Sequence, residues 1–422
     1  MVEKEILDNG LRVILIPNQA TNVLSAMVMF GVGSRYESDE LAGISHILEH
    51  MSYKGTSRRP TPIEVAEAIE SVGGEHNAFT GKEYTGYYTK VAPRHLETAL
   101  DFLSDILLNS NYHESDLERE KGVIIEEVNM YEDTPMDLVG NKFEEALFGA
   151  NALGRDVIGT KETISAVTRA DLVSYRQSHY TGPNTTLVLA GNFGSRTPAD
   201  LMRLITKYFA FAGKTSVDLS PLTFAEKKSS KIITKKTEQS HLVLGFYGAP
   251  FAHPDLYKLK LLAVILGGSM SSRMFIEIRE KRGLAYAVRT TANGYSDTGT
   301  IETQIGVPHN KVAETIKAVL AEYRKIKQES VGEAELKKAK EIALGRMLIS
   351  FEDSLNLAMH YATGETIARE VVTPEELARL FEKISSRDIM DTAKKYLRDD
   401  RMALAYIGPS LSQVELEPIF TL

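Results

Sequence analysis

The chain has 422 residues, a formal net charge of −8, no cysteine and no apolar run near the ~20 residues that a membrane span needs. Disulfides, thiolate nucleophiles and cysteine-bearing metal centres are therefore excluded, and any metal must be held by His and carboxylates. The acidic balance argues against a nucleic-acid partner, because neutralising phosphates needs a basic face.

Met1-Val2-Glu3-Lys4-Glu5 has neither a basic n-region nor an apolar h-region, so a cytoplasmic location is expected. Asn9-Gly10, between Ile6 and Leu11, signals a hairpin. Residues 11–16, 23–30 and 84–90 read as strands, rich in β-branched and aromatic side chains. Helices are expected at 39–53, 62–72, 93–108, 115–132 and 137–148. The first of these starts at Ser38, a good N-cap, and carries His46-Ile47-Leu48-Glu49-His50.

Two His four apart project from one helix face, one turn apart, and can reach one zinc. Glu49, three after His46, shares that sector and can reach a water beside the metal without being a ligand. A third ligand is needed. In the helix at 115–132, Glu120 and Glu127 lie seven apart on one face, beside Val123 and Ile124, whereas Glu118 and Glu126 point to solvent. Either Glu120 or Glu127 satisfies the spacing. Asn77-Ala78-Phe79-Thr80 reads as a turn entering a strand.

In the second half, helices are expected at 255–266, 271–281, 310–326 and 333–351, and strands at 242–246, 285–291 and 300–306. Gly267-Gly268-Ser269 lacks the Gly-Lys-Ser/Thr ending of a phosphate loop and reads as a helix end. A repeat links the halves: Asp171 to Gly191 and Asp388 to Gly408 both span 20 positions, each reading as helix then buried strand. The expected architecture is α+β, two similar domains at 1–214 and 229–422 joined by a linker at 215–228. Each is expected to be an antiparallel sheet with helices on one face.

His46-x-x-Glu49-His50 followed by Glu127 resembles the pitrilysin and insulinase family of zinc peptidases. The similarity extends through Asn77–Thr80, Glu120–Glu127, Leu266–Arg273 and Arg279–Tyr286. The size resembles the short subfamily that includes mitochondrial processing peptidase subunits and their bacterial relatives. The resemblance implies one zinc on His46, His50 and Glu127, Glu49 as the base, and Glu120 as a carboxylate orienting a ligand His. It implies a peptide substrate laid along an edge strand at Asn77, Ala78 and Phe79, with Arg279 and Tyr286 reaching it from the other half. It further implies a homodimer, or a heterodimer with a related subunit. The competing reading is a silent or assembly subunit. Intact His46, Glu49, His50 and Glu127 argue against it.

Overall fold

The computed structural model describes residues 2–212, 221–222, 226–409 and 413–422. Most of the expected linker at 215–228 lies outside the described residues.

The first half opens with strands β1 (Glu3–Ile6), β2 (Arg12–Pro17) and β3 (Leu24–Phe30). Helices α1 (Ile44–Met51) and α2 (Pro62–Glu70) precede the hairpin β4 (Glu75–Thr80) and β5 (Thr85–Val91). Then come α3 (Leu96–Leu108), α4 (Glu114–Asp133), α5 (Pro135–Phe148), α6 (Lys161–Ala166) and α7 (Arg169–His179). Strand β6 (Thr185–Gly191) and α8 (Pro198–Tyr208) close this half. The second half begins with β7 (Ser229–Thr234), β8 (Ser240–Gly248) and α9 (Asp255–Gly267). A π-helix, Phe275–Lys281, leads to β9 (Val288–Gly294) and β10 (Gly299–Val307). Helices α10 (Val312–Gln328), α11 (Glu333–Phe351), α12 (Ser354–Ala368), α13 (Pro374–Lys383) and α14 (Ser386–Tyr396) follow. Strand β11 (Met402–Gly408) and α15 (Gln413–Leu416) end the chain.

The two sheets run β1-β2-β6-β3-β5-β4 and β7-β11-β8-β10-β9, so the second repeats the order of the last five strands of the first. This bears out the α+β class and the duplication suggested by the matched 20-residue spans. Thr168 with Asp171, and Ser385 with Asp388, form equivalent capping boxes at the starts of α7 and α14. The sheets are antiparallel except for one parallel pair each, β2 with β6 and β11 with β7. The intervening strands enter between elements distant in sequence, which a period-2 pattern does not reveal.

Two compact units emerge, and neither is a continuous half. The first comprises Met1–Asn129, Asp156–Ser220 and Ile349–Val372; the second holds Met130–Arg155, Pro221–Leu348 and Thr373–Leu422. Strand alternation explains the exchange. In β8, Leu242, Leu244 and Phe246 face the core formed with α9, α10 and α14, while Val243 and Tyr247 face the other way. That second face is covered by Leu138, Val139, Phe143 and Leu147 of α5, a helix made in the first half. Reciprocally, Ile14, Ile16, Met27, Met29 and Val188 of the first sheet pack on Ala358, Tyr361 and Ala362 of α12. Helices thus cover both faces of each sheet, the second face by an exchanged helix.

Three local expectations are corrected. The helix expected over 39–53 is a 3-10 turn at Asp39–Leu41 and then α1, broken at Gly43 with φ +95°. A Cβ on Gly43 would stand 2.4 Å from the Ile158 carbonyl oxygen, so backbone approaches backbone where no side chain fits. The helix expected over 271–281 is the π-helix, closed by Gly283 at φ +58°. The strand expected at 285–291 runs three residues later, as β9.

Candidate metal centre

Helix α1 is short, and its N-terminus is not capped by Ser38, which makes no side-chain cap bond. Glu37 does this instead: its Oε2 accepts from Gly43 N–H at 2.7 Å and its Oε1 from Ser45 N–H at 2.8 Å. A buried carboxylate on two orphan amides, where the helix dipole is positive, fixes the helix that carries the metal motif. Ile44, Ile47, Leu48 and Met51 are buried, which leaves His46, Glu49 and His50 on the opposite side. Strand β4, an edge strand paired only with β5 in the sheet, packs beside α1. Phe79 lies across Gly86 of β5, where a Cβ would meet its ring at 2.2 Å.

Helix α4 brings the carboxylates. His46 Nε2 stands 3.8 Å and His50 Nε2 3.7 Å from Glu127 Oε2. One donor atom from each of the three lies within 4.8 Å of the others, and this is the only such group among the described residues. Zinc bonds of ~2.0–2.1 Å set at tetrahedral angles separate donors by roughly 3.3 Å, so both His–Glu127 separations are within a few tenths of an ångström of what the metal needs. The residues therefore fit a zinc ion. On the far side of the His50 ring, Nδ1 meets Glu120 Oε2 at 3.2 Å. Glu120 and Glu127, two helical turns apart, thus grip opposite nitrogens of one imidazole. Lys54 Nζ approaches Glu120 Oε1 at 2.8 Å. Burial alone would raise the Glu120 carboxyl; the contacts from His50 and Lys54 outweigh it and hold the group below its ordinary range. The stripe beside these carboxylates is formed by Leu117, Ile124 and Val128, whereas Val123 is half exposed.

Burial, and then the charge of His50, push His46 down to about 3, so its imidazole stays neutral with a lone pair free for a metal. Its Nδ1 is buried without a hydrogen-bond partner. Burial raises the Glu49 carboxyl, as suits a base, and the Thr80 hydroxyl, donating to Oε2 at 2.5 Å, opposes that rise. Thr80 ends β4, so the edge strand and the base are mechanically joined. Glu37, Lys54 and this Thr80 bond were missed at the sequence level. Lys54 follows His50 by four, a helical spacing that signals a shared face; Glu37 gave no signal once the helix start was placed at Ser38.

Arg279 and Tyr286 meet in the second unit. The Arg279 guanidinium lies 4.7 Å from the ring centroids of both Phe275 and Tyr286. Tyr286 is 78% exposed, so its hydroxyl is presented to solvent.

One consequence is measurable without metal. The unfolded chain protonates His46 near 6.5 and the folded chain only near 3. The unfolded state therefore binds the extra proton across that window. Stability contributed by the neutral ring is full above about pH 6.5 and falls with acid by up to ~1.4 kcal/mol per pH unit. Urea unfolding of the EDTA-treated protein should show this slope, and His46→Gln should flatten it. An equal slope in both would reject the assignment.

The family pattern described as Insulinase (Peptidase family M16) matches residues 12–161, and that described as Peptidase M16 inactive domain matches 166–343. The chain belongs to the insulinase family, peptidase family M16. M16 relatives include an uncharacterized zinc protease of Bacillus subtilis strain 168, 35% identical over 97% of this chain and 99% of that one. An uncharacterized zinc protease of Rickettsia felis is 34% identical over 96% and 97%. Among solved structures, a protease from Helicobacter pylori superposes with a TM-score of 0.90 at 22% identity, covering 97% of this chain and 99% of that one. A chain of complex III2 from Candida albicans gives 0.85 at 18%, with full coverage of both. These two likenesses concern the fold. The inactive-domain match runs from α7 and β6 of the first sheet through β7 to β10 and into α11, and contains none of the metal triad.

Proposed function

We propose that the chain is a zinc-dependent endopeptidase acting on extended or unfolded peptides, with one zinc on His46, His50 and Glu127. The observation that carries this reading is the three-donor cage with Glu49 beside it on the same helix. The zinc-protease names of full-length relatives support it. Zinc held there supplies Lewis acidity, lowering the pKa of a water to ~7 and polarising a scissile carbonyl. Glu49 accepts the proton of the attacking water and returns it to the leaving amine. Thr80 keeps Glu49 in place, and Glu120 fixes the His50 tautomer by accepting a hydrogen bond from Nδ1–H. An extended peptide pairs with the open edge of β4, at Asn77, Ala78 and Phe79, through main-chain hydrogen bonds.

The test is zinc content together with cleavage of an unstructured peptide library. About one zinc per chain with cleavage supports the proposal. Stoichiometric zinc without cleavage would favour a silent or assembly subunit. Glu120→Gln should cost roughly 10–100-fold in zinc affinity or rate, less than loss of a ligand; metal loss equal to that of Glu127→Ala would reverse the two roles.

The active unit we propose is a homodimer whose Arg279 and Tyr286 serve the partner's zinc site, with a heterodimer as the variant form. The exposure of Tyr286 supports this. Mixing a Glu49→Gln subunit with an Arg279→Ala, Tyr286→Phe subunit should restore about half of the activity per mixed dimer. No recovery after demonstrated subunit exchange would reject it. A cytoplasmic location belongs to the same proposal; among the described residues no helix is long and apolar enough to cross a membrane.

A further inference from the structure

The second unit holds a groove of about 600 Å³ that the metal cage does not use. It lies between the C-terminal end of α9 with the turn after it, strand β9 and helix α11. Three cations from these three elements line it: Lys260, Arg289 and Arg346. No acidic residue does, in a chain where acids outnumber bases 57 to 49. None of the three has an ion pair among the described residues; Arg346 Nη1 donates to the Gly268 carbonyl at 2.5 Å, and Lys260 faces the Tyr257 ring at 5.9 Å. Lys260 is exposed, and no carboxylate pairs with its ammonium among the described residues. Three like charges around one depression repel one another, and a bound anion relieves that repulsion.

We propose that this groove is a carboxylate-binding subsite that takes an acidic segment of an extended peptide. The guanidinium of Arg289 presents a planar fork suited to a carboxylate, and the hydroxyls of Ser269 and Thr291 add neutral donors. A compact phosphate fits less well. The helix end at the groove is the C-terminus of α9, at Gly267, which disfavours every anion alike, so any discrimination comes from the placement of the cations. The cations are spread over three elements along an open depression, which matches charges spaced along a chain. The volume lies in the range of ordinary ligand pockets. The peptide part of the assignment rests on the proposed endopeptidase function; the preference for carboxylates does not.

The experiment uses the full chain carrying Glu49→Gln, so that turnover does not interfere. Fluorescence anisotropy compares a labelled Glu-Gly repeat peptide with its Gln-Gly counterpart at low and high salt. The Glu peptide should bind roughly tenfold tighter, with the advantage shrinking at high salt. Lys260→Ala with Arg289→Ala should remove the advantage while near-UV circular dichroism stays unchanged, and Arg346→Gln should reduce it. Equal affinity for the two peptides, or an advantage that survives the double substitution, overturns the proposal. So does displacement of the peptide by inorganic phosphate at concentrations where acetate has no effect, because that marks a compact-anion site. If the wild-type chain cleaves neither peptide while the charge preference and its loss are both seen, the subsite stands and the endopeptidase assignment falls.

Discussion

Replacing Glu49 by Gln should leave zinc at about one per chain and slow peptide cleavage by roughly 10²–10⁴-fold, the range of a lost general base. Gln keeps the volume and one oxygen of the side chain, so the Thr80 hydroxyl retains an acceptor and β4 stays attached to α1. The carboxylate that takes a proton is gone. Folding and metal content should therefore match wild type, and the defect should appear in kcat rather than in KM. Measuring zinc and both kinetic constants on one preparation decides the matter. Full activity would remove Glu49 from the chemistry. Equal loss of zinc and activity would make it a ligand or a structural support instead.

The second large effect is loss of the metal itself. His50→Ala and Glu127→Ala should each abolish stoichiometric zinc, and activity with it, because the described residues offer no fourth His or carboxylate in the group. His50→Ala also strips Glu120 of one of its two partners and leaves Lys54 as the other. A buried carboxylate with half its pairing lost costs about 1–3 kcal/mol, so this variant should unfold at lower urea concentration than Glu127→Ala. Glu127 is one-quarter exposed and is solvated when unpaired. Zinc retained by Glu127→Ala at wild-type affinity would place the third ligand elsewhere.

The faces of the metal cage were legible from helix geometry, while the choice of Glu127 over Glu120 came from the family resemblance. A four-residue spacing in α1 and a seven-residue spacing in α4 determine faces, and faces determine what meets. The sheet order was partly legible, through the matched spans ending at Gly191 and Gly408. What the sequence did not show has physical reasons. The break at Gly43 depends on the Ile158 carbonyl, 115 residues away, so no local pattern announces it. The capping role of Glu37 depends on that break. The π-helix differs from an α-helix by one residue in its hydrogen-bond spacing, too little to read from seven residues. The basic groove draws on residues 260, 289 and 346, which are scattered singly among charges of both signs.

The exchanged helices also govern the order in which the protein can be finished. The apolar face of the first sheet that carries Ile14, Met27 and Val188 waits for Ala358, Tyr361 and Ala362. When residue 220 leaves the ribosome, about 150 residues of synthesis still separate that sheet from its cover. At ~5–20 residues per second this is an interval of roughly 8–30 s. During that time the apolar face of the nascent sheet lacks its native cover, so the half that carries the metal triad is exposed to non-native association until the chain is nearly complete.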